Sequence, residues 1–473
     1  MKLWQRWKQK RQRRGFDAAK TGRLYSDWLK TSQSLDYDIK AGLTTLRARS
    51  RNFIQNNDYG QRFAFLLKSN VIGPKGIILQ SKARSKTANG NGKDTVDKAA
   101  AEKIEKAWKK FSRKENCSVD RQASMLDIQN MFIEGLPRDG EFIIRKVKGF
   151  DNPFKFALQL IEPDYLDHNF SDPMRKIKMG IQRNDWKQPV AYHFLKEHPG
   201  ESMAIMIGED RQVVPADEIW HTFVKRRPEQ SRGSPWTVTA LKRMHMLGKY
   251  EETELISSRA GSAKMGFFQT REGLGWGDEK EDSGRFIKEV SPGTFEVLPE
   301  GYEFKAFDVD HPNAGFDAFH SSVLHGACSG LNVSYAGLSS NVSRANYSSM
   351  RQGELSDRDA YMLLQQFTIE NLLQPVFETW LPLAIATGEI SLPMKDLDRW
   401  LEVAWLPRRW AWVDPQKDMS ANKGALDMRI TSRRRLAAQQ GYDYDEINEE
   451  LKDEENDIRK SRQGSKPNGQ ENN

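Results

Sequence analysis

The chain has 473 residues, 38% of them hydrophobic and 29% charged, which is a polar composition for a compact protein and suits a subunit that buries surface against its neighbours. Its 73 basic and 65 acidic residues leave a net charge of +8. No run approaches the length of an apolar transmembrane helix, and the basic start lacks the apolar segment of a secretory signal, so we expect no membrane contact. Cys117 and Cys328 are the only cysteines and exclude a disulfide framework or a cysteine zinc site.

Three charged runs stand out from this background. Residues 1–14 are basic without an acid, Arg47, Arg49 and Arg51 form a second basic cluster, and residues 449–457 are mainly acidic. Each run is typical of a solvated face or tail, and a basic run can also hold nucleic acid or an acidic partner. The sequence leaves both interpretations open.

The first half of the chain predicts an α+β domain. Apolar spacing favours helices within residues 24–68, 96–111 and 121–134, and a turn at residues 135–140 follows the last of them. Short apolar runs predict strands at residues 71–80, 141–145, 156–161, 177–182, 190–195 and 218–224. Tight turns between neighbouring runs favour antiparallel pairing, so residues 25–230 are expected to form one α+β domain.

The middle of the chain predicts two helices with a small β unit between them. Ser234 is a good N-cap and Pro235 suits the first helical position, so a helix is expected over residues 235–264. Residues 265–312 alternate short strand-like runs with glycine turns, and residues 314–331 return to a helical pattern rich in small residues. The chain therefore leaves along one helix and comes back along another.

A polar stretch follows at residues 330–351, rich in Ser and Asn and without an acid. Such residues compete with the helical backbone for hydrogen bonds, so the stretch predicts a turn or loop between helices. The long helix after it should be interrupted at Pro375. Residues 400–412 are dense in tryptophan and predict turns, and short helices are expected at residues 427–436 and 444–451 before a disordered tail.

No residues with catalytic spacing emerge. A phosphate-binding loop needs a Lys followed by Ser or Thr, whereas Lys93 is followed by Asp94. The histidine pairs, His193 with His198 and His320 with His325, are five residues apart and do not share a helical face. We therefore predict no enzyme, no catalytic residue, no metal and no cofactor. The weak rival is a metal-dependent nuclease using Asp308 and Asp310.

Several patches, taken in order, resemble the lambda-like family of tailed-phage portal proteins. They are residues 45–57, residues 70–73, Gly140 with Glu141, residues 158–164, residues 219–221, residues 226–235, residues 331–335, residues 346–351 and residues 412–415. The ordered set spans roughly residues 20–450. Met350 and Pro74 depart from the family pattern.

The resemblance implies a fold class: an α+β portal-type subunit with a wing, a two-helix stem, a small β-rich clip, a long kinked helix and a helical C-terminal crown. The implied parts are a basic flexible arm at 1–24, the wing at 25–234, stem helices at 235–264 and 313–332 around the clip at 265–312, a tunnel loop at 333–346, the long helix and wing return at 347–399, the crown at 400–455 and a disordered tail at 456–473.

The resemblance also implies partners and a location. Portal proteins form a ring of about twelve copies at one capsid vertex of the virion, assembled in the cytoplasm of the bacterial host. Double-stranded DNA passes through the ring without sequence specificity. The other implied partners are the terminase large subunit, the major capsid or scaffold protein, and a head completion or connector protein. Another nucleic-acid-associated virion protein remains the alternative.

On this resemblance, the polar stretch is the tunnel loop that faces DNA. Ser340, Asn341, Ser343 and Asn346 would offer weak hydrogen bonds, and Arg344 would supply one positive charge per subunit. Tightly held phosphates resist sliding, so a channel should grip DNA weakly. The alternative for the same residues is a loop that faces a neighbouring subunit.

Overall fold

The computed structural model describes residues 17–19, 22–85, 96–201, 211–262, 266–270, 302–306, 315–343, 347–410, 415–440, 442 and 444–464. Its α-helices are α1 (Leu35–Asn56), α2 (Asp58–Leu67), α3 (Lys98–Phe111), α4 (Lys114–Cys117), α5 (Met125–Asp139), α6 (Val238–Ser262), α7 (Phe316–Leu331), α8 (Tyr335–Ser339), α9 (Tyr347–Thr368), α10 (Gln374–Ala386), α11 (Leu397–Trp400), α12 (Pro415–Asp427), α13 (Arg433–Gln439) and α14 (Tyr444–Gly464). Two π-helical turns, Lys68–Ile72 and Ile369–Leu373, follow α2 and α9.

The strands of the described residues pair in antiparallel fashion throughout. They are β1 (Ile78–Ser81), β2 (Glu141–Lys148), β3 (Phe156–Ile161), β4 (Ile177–Lys178), β5 (Ile181–Arg183), β6 (Pro189–Leu195), β7 (Arg211–Pro215), β8 (Ile219–Phe223), β9 (Gly266–Thr270), β10 (Tyr302–Ala306) and β11 (Val403–Leu406). Their sheets have the orders β3-β2-β8, β4-β5-β6-β7, β1-β11 and β10-β9. The mixed helix and sheet content confirms the α+β class.

One large hydrophobic core joins the helices. Its centre is aromatic: Trp108 of α3 lies with its ring centroid 5.1 Å from Trp380 of α10 and 5.9 Å from Trp405 of β11. A second, smaller core fills the space between β2, β6, β7 and β8, around Tyr192 and Phe194. Among the described residues, no helix is long and apolar enough to cross a membrane.

The expected helix pair and its β unit are present where described. α6 packs along α7, and β9 pairs with β10 in register from Gly266 opposite Ala306 to Thr270 opposite Tyr302. Thr239 Oγ1 donates to the Gly330 carbonyl at 2.9 Å, and Arg243 Nη1 donates to the Gly326 carbonyl at 2.7 Å. The small residues of α7 therefore bring its backbone within hydrogen-bonding reach of α6.

Two helix boundaries differ from prediction for the same reason. α5 continues through Pro137 to Asp139 and ends at Gly140 in the left-handed region, so the turn expected from Gly135 is wrong. α6 begins at Val238 rather than after a Ser234 cap. A Cβ added to Gly140 would meet the Ser234 backbone at 2.3 Å, and the Trp236 N–H donates to the Pro137 carbonyl. Residues 233–236 thus pack against the end of α5 instead of starting a helix, and this tertiary contact overrides local preference.

Other differences lie nearer the termini. The helix expected from residue 24 begins at Leu35, where the Ser34 side chain caps it. The tryptophan-dense stretch is not all turns, because β11 pairs with β1 at Leu406 opposite Ile78. α14 continues to Gly464, so residues 456–464 are helical rather than disordered. The long helix is interrupted as predicted, with the π-helical turn directly before α10 and Pro375 in its first turn.

Candidate nucleic-acid interface

The polar stretch is more ordered than a simple loop. α7 ends at Leu331, and Asn332 follows in the left-handed region with φ of +57°. Ser334 then caps α8 by accepting the Gly337 N–H at 3.1 Å. The prediction of a turn or loop is wrong over α8, Tyr335–Ser339, because the side chain of Ser334 starts a short helix instead of competing with it.

α8 is fixed to the surrounding helices by three contacts. Asp357 of α9 accepts the Ser334 N–H at 2.9 Å, and Arg62 of α2 donates to the Gly337 carbonyl at 3.0 Å. The ring of Tyr335 stacks on His325 of α7 with centroids 4.1 Å apart. Burial raises the pKa of the Asp357 carboxyl, although its bonds from Ser334 oppose that shift. The anchor is therefore a half-buried carboxylate that holds one end of the loop.

The exposed part of the stretch follows α8. Ser340 adopts φ of +57°, and residues 340–343 are all exposed. Asn341 Oδ1 accepts both the Ser343 N–H at 3.0 Å and the Ser343 hydroxyl at 2.6 Å. The structure thus brings Ser340, Asn341 and Ser343 together in one turn. Arg344 and Asn346, the other two predicted residues, lie outside the described residues.

This turn has a defined chemistry. The side-chain oxygen of Asn341 accepts hydrogen bonds within the turn. The side-chain NH₂ group of Asn341 is left as a donor toward solvent. Since residues 330–351 contain no acid, nothing in the stretch itself repels a phosphate. Neutral donors bind phosphate oxygens less strongly than charged ones. The surface can therefore contact a polyanion with little retention.

A second group of polar residues lies in the interior and was missed by sequence analysis. Glu141, at 0% exposure, is contacted by Arg47, Arg232 and His221, which come from α1, the segment before α6, and β8. Arg232 Nε lies 3.0 Å from Glu141 Oε1, and His221 Nε2 lies 2.9 Å from Oε2. We call Arg47, Glu141, His221 and Arg232 the Glu141 cluster.

Backbone groups satisfy the remaining donors and acceptors of the Glu141 cluster. Arg47 Nε donates to the Asp139 carbonyl at 3.0 Å, and Arg232 Nη1 donates to the Leu166 carbonyl at 2.9 Å. The Gly233 N–H donates to Glu141 at 2.9 Å. A Cβ on Gly233 would lie 2.0 Å from the Gly140 carbonyl oxygen, so only glycine permits this approach. The cluster fixes the segment that leads into α6.

The electrostatics of the Glu141 cluster follow from burial and charge. Burial alone would raise the pKa of Glu141, but the Arg232 and Arg47 guanidiniums outweigh it and hold that pKa well below its ordinary value. Burial lowers the pKa of His221, and Arg232 and Arg47 add to this effect against the opposing attraction of Glu141. With its pKa lowered, His221 is neutral at pH 7.

Arg51 extends this network toward the surface. It pairs with Asp139 at 2.6 Å, with Glu162 at 2.9 Å and with Asp164. The interpretation of Arg47 and Arg51 as a solvated or nucleic-acid-binding face is wrong, because carboxylates distant in sequence cover them. The sequence around residues 47–51 contains the arginines of these ion pairs but not the carboxylates, which lie about 90 to 115 residues further along the chain. The one available signal was an acid, Glu141, beginning an apolar strand pattern.

Glu162, Asp164 and His198 are the one group of described residues with spacing suited to a metal. His198 Nδ1 accepts the Gly200 N–H at 3.1 Å, so Nε2 carries the ring proton and faces Glu162 at 3.4 Å. A protonated nitrogen offers no lone pair to a cation, and Arg51 already supplies positive charge to both carboxylates. The geometry fits an ion-pair network. Asp308 and Asp310, proposed for a nuclease, lie outside the described residues.

Comparison with known proteins places this architecture in a family. The family model described as phage portal protein, lambda family, matches residues 21–365. The probable portal protein of Halomonas phage phiHAP-1 is 34% identical over 467 residues, covering 96% of this chain and 88% of that protein. Portal protein B of Escherichia phage lambda is 21% identical over 462 residues, covering 90% and 86% respectively.

A solved structure titled as the neck of an empty GTA particle, computed with C6 symmetry, is 12% identical with a TM-score of 0.43, covering 84% of this chain and 93% of that chain. The family match extends over most of the chain, from residue 21, before α1, through the polar stretch into α9. The chain therefore belongs to the lambda family of phage portal proteins.

Proposed function

We propose that this chain assembles into a ring of about twelve subunits at one vertex of the capsid and forms the channel through which double-stranded DNA enters and leaves. The observation that carries this proposal is the exposed turn at residues 340–343, which is free of acids and follows directly on α8, the short helix that Asp357 of α9 and Arg62 of α2 anchor. The role is structural and needs no enzymatic step.

The parts of the ring subunit are proposed from the architecture. α6 and α7 would be the stem, the β9–β10 pair would belong to the clip within residues 265–312, and residues 25–234 would form most of the wing. Residues 400–455 would be the crown, although β11 within them pairs with β1 of the wing. Met246 and Leu255 of α6 and Phe319 of α7 are 61%, 68% and 54% exposed, which supports their burial against neighbouring copies.

The proposed partners follow from family membership. The clip would dock the terminase large subunit during packaging and a head completion or connector protein afterwards, while the wing would face the major capsid or scaffold protein. The chain would reside at the virion vertex after assembly in the host cytoplasm. DNA would meet the loop without base readout, because neutral donors and one arginine per subunit contact phosphates alone.

The tunnel-loop assignment is tested by Arg344→Glu in a packaging reaction. The substitution places a ring of negative charge against DNA, so we expect assembled rings of normal mass and less packaged DNA. Arg344→Lys, which keeps the charge, serves as the matched control and should package normally. Unchanged packaging with Arg344→Glu would show that the loop faces a neighbouring subunit instead. Cleavage of plasmid DNA by the purified protein with Mg²⁺ would favour the nuclease alternative.

A further inference from the structure

An exposed basic surface lies on α3 and α4, away from the residues that anchor the polar loop. Its members are Lys103, Lys106, Lys109, Lys110, Arg113 and Lys114, and all of them are exposed. Steps of three and four residues place Lys103, Lys106 and Lys110 along one face of α3, and Arg113 and Lys114 follow at the break before and the start of α4. We call these six residues the basic stripe.

The charges of the basic stripe are largely uncompensated. Among the described residues, Lys110 is the one member with an ion-pair partner, Glu389 at 2.6 Å. Glu105 of the same helix turns away from the stripe and accepts the Ser81 N–H at 2.8 Å. Glu102 and Glu115 are the exposed acids nearest in sequence. The helix dipole stabilises lysines near a helix C-terminus. This effect accounts for only two members of the stripe, Lys109 and Lys110, which lie in the last turn of α3.

The backbone beneath the basic stripe is rigid. The opposite face of α3 places Ile104 and Phe111 at 0% exposure and Trp108 at 7%. Phe111 stacks on Phe156 of β3 with centroids 5.9 Å apart, and Trp108 contacts Trp380 of α10. The lysine stems can move, but the helix that carries them is fixed in the main core. The backbone positions of the four lysines of the stripe on α3 therefore keep a constant spacing.

We propose that the basic stripe binds double-stranded DNA through its phosphates, as a contact separate from the tunnel loop. The helical part of the stripe, from Lys103 to Lys110, rises by about 10 Å, which is comparable with the rise of about three base pairs, since phosphates of one strand are about 3.4 Å apart along the axis. Five of the six side chains are lysines, which act as point charges and do not read bases.

This inference relies on the proposed function only for the presence of DNA at the particle. The two surfaces differ in charge density: the described turn of the loop has no charged residue at 340–343, whereas the stripe has six within twelve residues. A phosphate held by lysine adds affinity in proportion to released counterions. The stripe should therefore retain DNA, and the loop should let it pass.

The test measures binding of a fluorescent 30-base-pair duplex of random sequence to the full-length protein by anisotropy, over a range of salt concentrations. Lys103→Glu/Lys106→Glu/Lys109→Glu should weaken binding at least about tenfold and reduce the slope of log affinity against log salt by about 2.7. The matched control, Lys30→Glu/Lys225→Glu/Lys395→Glu, changes the same net charge at exposed lysines elsewhere and should have a much smaller effect.

Three outcomes would overturn the proposal: equal weakening by both triple variants, no weakening by either, or no binding by the wild-type protein. A changed oligomer mass with unchanged DNA binding would assign the stripe to a second copy, for which the acidic helix α14 is the complementary surface. Lys103→Gln/Lys106→Gln/Lys109→Gln repeats the test without repulsion. A failure of the proposed channel would show instead as unchanged packaging by Arg344→Glu. The lysine variants keep Arg344, so the two tests are independent.

Discussion

The Glu141 cluster and the basic stripe are both groups of positive side chains, yet the fold uses them in opposite ways. Arg47 and Arg232 are 2% and 0% exposed, and each contacts Glu141. The stripe is exposed, and only Lys110 of its six members is paired among the described residues. Buried charges require compensation because desolvation is costly, whereas exposed lysines remain solvated and available to an external anion.

A high local density of basic residues in the sequence therefore does not by itself identify a nucleic-acid-binding surface. Arg47 and Arg51 are close together in sequence and suggested an exposed basic face, but their contacts join α1 to the end of α5, to β2 and to residues 162–164. The lysines of α3 belong to an amphipathic helix, and in the sequence its apolar face is easier to recognise than its basic face. What separates the two regions is the position of the carboxylates, which only the folded chain reveals.

The largest expected effect comes from Glu141→Gln. The substitution leaves Arg47 and Arg232 buried without their anion, and breaking a buried pair in this way costs about 3–5 kcal/mol. The free energy of unfolding, measured by tryptophan fluorescence in urea, should fall by that amount. Glu102→Gln, on the exposed side of α3, is the control and should change it by less than about 0.5 kcal/mol. If the two variants lowered the free energy of unfolding equally, the Glu141 cluster would contribute no more to stability than the exposed side of α3.

Acid should destabilise the protein through the same cluster and through Asp164, which pairs with Arg47. The folded-state pKa values of His221, Glu141 and Asp164 all lie below their ordinary values of 6.5, 4.5 and 3.8. A lowered pKa means that stability is present above the unfolded-state pKa and is lost as pH falls toward the folded-state pKa. Unfolding free energy should therefore decline below about pH 6.5 and more steeply below about pH 4.5.

The two stages of this decline can be separated by His221→Gln. That variant should lose the share of His221 in the upper stage, between about pH 6.5 and 4.5, and keep the lower stage, which belongs to the carboxylates. The upper stage should shrink without vanishing, because burial also lowers the pKa of His168 and of His193. Melting temperatures across the pH range provide the measurement. A wild-type curve that is flat down to pH 4 would mean that His221 does not remain neutral in the folded protein.

A smaller effect is expected at Asp357, which is half-buried and therefore intermediate between the two regions. Asp357→Asn keeps the shape but weakens the acceptor of the Ser334 N–H, at a cost of about 1 kcal/mol. Hydrogen exchange of the Ser334 amide should accelerate, while global stability changes little. Asp359→Asn, exposed on the same helix, is the matched control. Unaltered exchange would show that α8 is held by Tyr335 and Arg62 alone.

The smallest effect on stability is expected at the basic stripe. Lys103→Gln/Lys106→Gln/Lys109→Gln removes three exposed charges that have no ion-pair partner among the described residues. Unfolding free energy should change by less than about 0.5 kcal/mol per site. A large loss would mean that these lysines support the fold and would weaken their assignment to DNA.

Sequence patterns predicted much of the local structure. The α6–α7 pair, the interruption before Pro375 and the strands β2, β3, β6 and β8 all appear within a few residues of their expected places. The patterns failed where distant segments decide the outcome: the extension of α5 over Pro137 and the late start of α6 depend on the Gly140–Ser234 contact.

The candidate site was predictable only in part. The Ser- and Asn-rich composition of residues 330–351 predicted a loop, but the residue that anchors its first part, Asp357, lies beyond the stretch. The Glu141 cluster was not predictable because its partners are distant along the chain: Glu141 lies 94 residues from Arg47 and 91 from Arg232. Short-range periodicity carries no information on such pairs.

We propose above all that this chain forms a closed ring with an open channel. Electron microscopy of the purified full-length protein, with its mass determined by light scattering, tests this proposal directly. We expect rings with a central opening wide enough for a DNA duplex and a mass of about twelve times the 54.4 kDa of one chain. A monomer under all conditions, or a closed particle without a channel, would contradict it.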